Sequence, residues 1–287
     1  MDTARTFVTA DGATLAYRLW RPGLPRQTVV LVHGLASNHT RWAEFVATTR
    51  LRESWDLLRP DLRGFGASLD RGRVGLDEWC RDLQAILATE AAPPAVLVGH
   101  CLGANVVLHF AARSPTATRS LVLIEPMFRQ ALTGALRLAA RLRLAGSLLA
   151  PLARGLNRVG LHRRRLATLD LEQLDREARA AVAAAGPEAF PEARFGSALE
   201  DLKATPTVVY LAGLQAVTSP LPDLRAIRVP ALALLSRGGR FGDPALTARL
   251  LAALPRGEVE MLEARHWIPT ETPTEMRRAI EEWCDRA

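Results

Sequence analysis

One cysteine lies in a setting that could activate its thiol. Residues 95–98 form a short apolar run typical of a buried parallel strand, and residues 99–103 follow at once with the sequence Gly-His-Cys-Leu-Gly. A helix is predicted to start directly after this turn. Glycines suit a tight backbone, and the amino-terminal end of a helix favours negative charge beside it. Cys101 is therefore the candidate nucleophile, because a thiolate attacks a carbonyl carbon readily.

The chain around this turn alternates strands and helices. Asp11-Gly12 between two alternating segments predicts a hairpin, and residues 28–32 are a further continuous apolar run. Other strands are predicted at 55–58, 120–124, 231–235 and 258–262, with helices at 41–49, 75–88, 244–253 and 274–284. This order predicts an α/β fold, in which a mostly parallel twisted sheet is covered by helices on both faces.

Residues 127–227 interrupt this alternation. They have a helical pattern rich in Ala, Leu and Arg, and they lie between two predicted strands. We interpret them as an inserted helical cap over the carboxyl ends of the strands, where open α/β sheets bind their ligands. The predicted organisation is a core of residues 1–126 and 228–287 with a cap of residues 127–227.

The turn at 99–103 resembles the nucleophile elbow of the α/β-hydrolase family, with cysteine in place of the usual serine. The resemblance covers nearly the whole chain outside the cap. Residues 61–68 match a structural turn of that family, and residues 32–35, Val-His-Gly-Leu, match its oxyanion-hole loop. The resemblance implies that the backbone N–H groups of Leu35 and Leu102 hold an oxyanion. It also implies that His266, which follows the last strand, is the general base.

The remaining histidines and cysteines of interest are expected to be structural. His33 and His100 are interpreted as scaffold residues, and Cys80 and Cys284 as inert packing residues. The three cysteines form neither metal-ligand spacing nor a disulfide framework. No metal and no other cofactor is therefore expected.

The acid that would orient His266 is where the sequence departs from the family pattern. The usual acid lies in the loop after strand 231–235, yet residues 236–242 contain no carboxylate. Asp243 precedes a proline at a helix start, which is typical of an N-cap. Glu125 ends strand 120–124, where some haloalkane dehalogenases of the family place their acid. Glu125 is the favoured acid, Asp243 is the alternative acid, and a Cys–His pair without an acid is the third interpretation.

The predicted chemistry is acyl transfer through a covalent acyl-enzyme on Cys101. The elbow also resembles those of dienelactone hydrolases, polyhydroxyalkanoate synthases and some biosynthetic thioesterases. The cap argues against the first, and the chain length argues against the second. We expect an ester or thioester hydrolase, or an acyltransferase or cyclase, that acts on a small-molecule or carrier-bound acyl substrate. The alternative is a non-catalytic hydrolase-fold binding protein whose triad has decayed.

The predicted cap carries a run of positive charge. No acidic residue lies between Glu125 and Asp170, but nine arginines do: Arg129, Arg137, Arg141, Arg143, Arg154, Arg158, Arg163, Arg164 and Arg165. One interpretation is a solvated helical face. Another is docking of an acidic acyl carrier protein or of the phosphates of a coenzyme A thioester, and a third is an anionic membrane surface. Nucleic acid is not expected, because no binding module accompanies the arginines.

The composition is that of a globular enzyme-sized domain. Hydrophobic residues make up 48% and charged residues 23% of 287 residues, which argues against a disordered, fibrous or repetitive chain. The formal net charge is +7, and Lys203 is the only lysine among the basic residues. No apolar run has the length of a transmembrane segment, and the amino terminus lacks a signal-peptide pattern. With its free cysteines, the chain is predicted to be cytoplasmic.

Overall fold

The sheet has eight strands and confirms the predicted fold class. A computed structural model describes residues 2–23 and 27–286, except for the side chains of 143–148. The strand order is β1-β2-β4-β3-β5-β6-β7-β8, with β1 and β2 antiparallel to their neighbours and all later pairs parallel. The strands are β1 (Asp2–Val8), β2 (Thr14–Trp20), β3 (Thr28–Val32), β4 (Asp56–Pro60), β5 (Ala95–His100), β6 (Thr118–Ile124), β7 (Ala231–Ser236) and β8 (Gly257–Leu262).

Helices cover both faces of this sheet. Short 3₁₀ turns lie at His39–Trp42, Arg50–Glu53, Pro115–Ala117, Pro187–Ala189 and Leu224–Ala226. The α-helices are α1 (Ala43–Thr48), α2 (Leu76–Thr89), α3 (Leu102–Arg113), α4 (Gly134–Arg141), α5 (Arg143–Arg158), α6 (Leu171–Ala185), α7 (Glu192–Phe195), α8 (Ala198–Ala204), α9 (Thr207–Val217), α10 (Pro244–Leu251), α11 (Ile268–Glu271) and α12 (Pro273–Arg286).

Alternate residues of the central strands divide the core into two apolar layers. Val30 and Val32 of β3 pack with side chains of α2 and α3, whereas Val29 and Leu31 pack with side chains of α1 and α12. Successive side chains of a strand point to opposite faces, so a strand covered on both faces has to be apolar throughout. This is why the continuous apolar runs in the sequence identify the central strands.

Helices α4 to α9 all lie between β6 and β7. Their side chains contribute to the first apolar layer, in which Val209 and Ala212 of α9 are buried. The chain therefore leaves the sheet after β6, passes through a helical insertion and returns at β7. The cap boundaries at 127 and 227 remain a prediction. Among the described residues, no helix is both long enough and apolar enough to cross a membrane.

Candidate active site

Cys101 lies at the sharp turn between β5 and α3. Its backbone is in a strained conformation, with φ of 52° and ψ of −113°. A Cβ at Gly99 would lie 2.4 Å from the carbonyl of Gly103, and a Cβ at Gly103 would lie 2.3 Å from the carbonyl oxygen of Val32. Glycine is therefore required on both sides of Cys101, because the turn presses α3 against β3.

His266 and Glu125 lie beside this turn. The Nδ1 atom of His266 is 2.9 Å from Oε2 of Glu125, and the thiol of Cys101 lies close enough to the imidazole to raise its pKa. Since Nδ1 is taken by Glu125, the contact with Cys101 falls to Nε2. The structure thus brings together the three side chains predicted as nucleophile, base and favoured acid, in that order. Their catalytic roles remain a proposal.

Glu125 is fixed by the strand next to its own. Its Oε1 atom accepts a hydrogen bond of 2.5 Å from the backbone N–H of Ser236, the last residue of β7. The backbone of Glu125 is itself at φ 52°, and its N–H donates to the carbonyl of Leu234 at 3.0 Å. At the end of β7, where the family usually places its acid, this chain supplies a backbone donor that holds a carboxylate from β6.

Asp243 caps the start of a helix, which is the role that its position before Pro244 indicates. Its Oδ1 atom accepts a hydrogen bond of 3.0 Å from the backbone N–H of Leu246, and Pro244 is the first residue of α10. This is N-cap geometry. The structure places the carboxylate of Glu125, rather than that of Asp243, on His266.

The loop that carries His266 is held by a second carboxylate. Glu271 accepts hydrogen bonds from three consecutive backbone N–H groups, those of Arg265 (3.0 Å), His266 (3.1 Å) and Trp267 (2.8 Å). The ring of Phe241 contacts the imidazole edge-on, with centroids 4.7 Å apart. Sequence reasoning assigned no role to Glu271. The signal that could have identified it is a carboxylate within one helical turn of a candidate base.

The electrostatic surroundings of His266 favour its charged form. Burial lowers its pKa, but the hydrogen bonds and charges of Cys101 and Glu125 raise it, and the balance lies at a pKa of about 10. At neutral pH His266 is therefore an imidazolium that lies between Glu125 and Cys101. An imidazolium beside a cysteine stabilises a thiolate.

His33 and His100 are fully buried scaffold residues, as the sequence predicted. His33 Nδ1 donates to the carbonyl of Gly34 at 2.8 Å, and Nε2 accepts from the N–H of Leu62 at 3.0 Å. Nε2 of His100 lies 3.2 Å from the carbonyl oxygen of His266. Burial lowers the pKa of His33 to about 4 and that of His100 well below its usual value. Both side chains therefore stay neutral and fix the loops around the site.

The two candidate oxyanion donors lie close to the nucleophile. Leu102 is the first residue of α3, where backbone N–H groups have no partner within the helix. Leu35 lines the same cavity as Cys101, and a Cβ on the preceding Gly34 would lie 3.4 Å from Cβ of Cys101. The loop therefore passes beside the turn. Binding of an oxyanion by the amides of Leu35 and Leu102 remains a prediction.

A cavity of about 600 Å³ opens onto Cys101 and His266. One wall comes from the core, including Leu35 and His100, and the opposite wall comes from the insertion, including Leu214 of α9. This volume is in the range of sites that bind small organic molecules. The insertion therefore shapes the space in which a substrate would meet Cys101.

The insertion also contributes to the cavity wall a pair of polar side chains that sequence reasoning did not identify. Asp201 of α8 and Tyr210 of α9 form a hydrogen bond, and both line the cavity. Burial raises the pKa of Asp201 to about 7, although the bond from Tyr210 opposes this shift. The separation of the two residues in the sequence does not predict their contact, because the contact depends on how α8 packs against α9.

The other two cysteines differ from Cys101 in their environment. Cys80 and Cys284 are buried in the two apolar layers, and burial raises the pKa of each to about 12. Cys101 is partly exposed to the cavity. Across the described part of the chain, no cluster of three or more His, Cys, Asp or Glu side chains could hold a metal ion.

The sheet order and the strained turn after β5 define an open, mostly parallel α/β protein with its reactive residues at the carboxyl ends of the strands. The chain belongs to the alpha/beta hydrolase family, whose model matches residues 29–279.

Relatives of known sequence or structure agree with this assignment. Pyrrolizixenacetamide deacetylase of Xenorhabdus hominickii is 37% identical over 106 residues, which cover 36% of this chain and 37% of that protein. A thermophilic esterase from Thermogutta terrifontis has a TM-score of 0.69 at 21% identity and covers 100% of this chain and 98% of its own. The enol-lactonase from Burkholderia xenovorans LB400 has a TM-score of 0.68 at 18% identity, over 98% of this chain and 100% of its own.

The sequence matches and the structural matches cover different shares of the proteins compared. The sequence matches span 34% to 42% of the length of the curated relatives. The structural matches extend over the whole chain, but at identities that establish only the fold.

Proposed function

We propose that the protein hydrolyses carboxylic esters or thioesters through a covalent acyl-enzyme on Cys101. The observation that carries the proposal is the alignment of Glu125, His266 and Cys101: Glu125 bonds the imidazole of His266, the thiol of Cys101 lies near that imidazole, and Cys101 and His266 both line the cavity. A nucleophile, a base and an orienting carboxylate in this order are the elements of nucleophilic acyl transfer.

The first half of the reaction forms the acyl-enzyme. The thiolate of Cys101 attacks the acyl carbon, a C–S bond forms, and the carbonyl electrons move onto oxygen. The N–H groups of Leu35 and Leu102 then hold that oxygen. When the carbonyl reforms, the bond to the leaving oxygen or sulfur breaks, and His266 donates its Nε2 proton to the leaving group. Glu125 stabilises the imidazolium until that transfer.

The second half returns the enzyme to its starting state. Neutral His266 takes a proton from water as the water oxygen attacks the thioester carbon. The C–S bond breaks, and the products are a carboxylic acid and the thiolate–imidazolium pair. An alcohol or amine in place of water would make the same protein an acyltransferase, and a hydroxyl of the acyl group itself would make it a cyclase.

The relatives support an acyl substrate. Their names are a deacetylase, an esterase and an enol-lactonase, and each name describes cleavage at an acyl carbon. The cavity of about 600 Å³ suits a small acyl compound. Its walls combine apolar side chains, such as Leu35 and Leu214, with the polar pair Asp201 and Tyr210.

The test is turnover of a short-chain chromogenic ester and of a matched thioester, combined with alkylation by iodoacetamide. We expect turnover that alkylation abolishes, with Cys101 labelled much faster than Cys80 or Cys284 as measured by peptide mass analysis. Cys101→Ala should be inactive, and Cys80→Ala is the matched control because its thiol is buried away from the cavity.

Two results would contradict the proposal. Equal labelling of the three cysteines in the folded protein would show that Cys101 has no special reactivity. Rapid labelling of Cys101 without turnover of either substrate would instead support a non-catalytic binding protein of the same fold.

A further inference from the structure

One outward face of residues 149–161, in the second half of α5 and the segment after it, is apolar. Leucine and valine side chains recur here at helical spacing and point to solvent, with exposures of 60% for Leu152 and 70% for Val159. The exposed apolar side chains of this segment are Leu149, Leu152, Leu156, Val159 and Leu161. Single exposed apolar side chains are common on proteins, but four leucines and a valine on one short segment form a patch that usually marks a binding surface.

A basic cleft lies against the same helix. It has a volume of about 480 Å³ and is formed where α5 meets the loop before α2. Its polar lining consists of Arg71, Arg73, Arg154, Asn157, Arg158 and His162, and no carboxylate lies among its lining residues.

The arginines of this cleft are largely free to bind an anion. Arg73 is paired with Glu78 at 2.9 Å. Among the described side chains, none forms an ion pair with Arg154 or Arg158. The side chain of Arg143, which belongs to the same basic run, lies outside the described set. Arg154 and Arg158, which have no carboxylate partner among the described side chains, are suited to phosphate, which arginine binds through paired hydrogen bonds.

We propose that α5, residues 159–162 and the loop at 71–73 form a docking surface for a membrane of anionic phospholipid. The apolar side chains enter the outer hydrocarbon region, and the cleft holds a lipid phosphate. A helix with apolar residues on one face and arginines on the other is the usual form of an interfacial anchor, because long arginine side chains reach back to the lipid phosphates. The segment from 126 to 169 has no acidic residue, so nothing on it repels the negative surface.

The exposed leucines favour a lipid surface, rather than a soluble phosphate compound, as the ligand of this site. The phosphates of coenzyme A would use the arginines alone and would leave the apolar side chains in water. An acidic carrier protein would likewise be attracted by charge. A lipid surface uses both features of α5 together, since it presents phosphate at the same depth as the first hydrocarbon.

The experiment is vesicle flotation with the full chain, using vesicles of phosphatidylcholine alone and vesicles that also contain phosphatidylglycerol. We expect binding to the anionic vesicles only, weakened by added salt. Arg154→Glu with Arg158→Glu should reduce that binding at least about ten-fold, because about 1 kcal/mol is contributed per arginine near such a surface. The matched control is Arg249→Glu with Arg256→Glu, which changes the net charge equally on exposed residues of α10 and the following turn.

The apolar side chains need their own variant. Leu152→Ser with Leu156→Ser should also reduce binding to anionic vesicles, although it leaves every arginine in place. Circular dichroism spectra of all variants should match that of the parent protein.

Three outcomes would overturn the proposal. The first is equal loss for the two arginine pairs, which would show a general charge effect. The second is unchanged binding of the leucine variant together with displacement by pyrophosphate or coenzyme A, which would assign the cleft to a soluble phosphate compound. The third is no vesicle binding at all, including the case in which an acidic acyl carrier protein binds instead. None of these readouts depends on Cys101, so they are independent of the proposed hydrolysis.

Discussion

The acid of the candidate triad comes from β6 and is held in place by β7. Parallel neighbouring strands end at the same edge of the sheet, so a carboxylate after one strand can reach the amide at the end of the next. Ser236 supplies that amide to Oε1, which leaves Oε2 of Glu125 for His266. A carboxylate that accepts two such bonds is fixed in orientation and stays ready to stabilise an imidazolium.

The two candidate acids can be separated by substitution. Glu125→Gln removes the negative charge beside His266 with little change of shape, and we expect kcat/KM for an ester to fall about 100-fold or more. Asp243→Asn should leave activity near the parent value, because asparagine caps a helix as well as aspartate does. Steady-state kinetics with one ester substrate checks both. The opposite pattern would make Asp243 the acid.

If His266 is the acid for the leaving group, its raised pKa should set the alkaline limit of activity. The leaving group needs the imidazolium proton, so kcat/KM for an alkyl ester should fall as the pH rises through the His266 pKa of about 10. In Glu125→Gln this limb should move to lower pH, because one of the groups that raise the pKa has lost its charge. Circular dichroism at each pH serves as the folding control. An unchanged limb in that variant would mean that His266 is not the group that titrates.

Asp201 makes the stability of the protein depend on pH. Its pKa is raised from 3.8 to about 7 in the folded protein, so between these values the native state binds more protons than the unfolded state. This contribution to stability is present at low pH and is lost as the pH rises through about 7. Asp201→Asn should therefore be more stable than the parent at pH 8, by on the order of 2 kcal/mol, and similar to it at pH 4.

Urea denaturation at both pH values measures this difference. The control is Asp223→Asn, which makes the same chemical change at an exposed turn. If both variants respond alike, burial of Asp201 is not the cause.

Sequence reasoning identified the candidate site residues that follow the ends of strands. Cys101, Glu125 and His266 each follow a strand of the parallel sheet, and the carboxyl ends of parallel strands converge. Ser236 acts through its backbone N–H, which every non-proline residue has, so its side chain gives no signal. Asp201 and Tyr210 meet because of how two helices of the insertion pack, and that depends on the tertiary structure.

At the scale of elements, the turn between β5 and α3 is the most constrained part of the fold. A methyl group at Gly103 would lie 2.3 Å from the carbonyl oxygen of Val32, so Gly103→Ala has to push α3 away from β3. We expect a loss of about 3 kcal/mol or more in the free energy of unfolding. Thermal unfolding followed by circular dichroism is the measurement.

A second glycine-to-alanine substitution serves as the control for the stability effect of Gly103→Ala. Gly155 lies in α5 with no atom within 4 Å of its would-be Cβ, so Gly155→Ala should stabilise the protein by up to about 1 kcal/mol through helix propensity. Equal effects of the two substitutions would mean that α3 can move without cost, contrary to the close packing seen at the turn.

The predictability of elements follows from their burial. The central strands are buried on both faces, so their apolar runs located them to within about two residues. The insertion was predicted only as a helical segment. Its Ala, Leu and Arg residues suit a helix at nearly every position, so the breaks depend on local caps such as Asp170 before α6 and Gly186 after it.

At the scale of the whole molecule, the insertion is tied to the core by a buried ion pair. Arg41, in the turn after β3, contacts Asp175 of α6, and both side chains are about nine-tenths or more buried. Thr270 of α11 bonds both, at 2.6 Å from Arg41 Nη1 and 2.9 Å from Asp175 Oδ1. Arg41 also lines the catalytic cavity, so this contact joins the insertion to the site.

Loss of one member of this pair should loosen the insertion. Asp175→Asn leaves the buried guanidinium of Arg41 without its counter-charge, and we expect a cost of about 3 kcal/mol together with faster amide hydrogen exchange in α6. Glu172→Gln is the matched control on the same helix, because its ion pair with Arg176 is exposed and should contribute less than about 1 kcal/mol. Replacing both buried partners, as in Arg41→Met with Asp175→Leu, should cost less than Asp175→Asn alone, since no charge then remains buried. If Asp175→Asn and Glu172→Gln shift the unfolding temperature equally, or if exchange in α6 stays as slow as in the parent, the insertion is held to the core by the apolar contacts of its helix α9 with α3 instead.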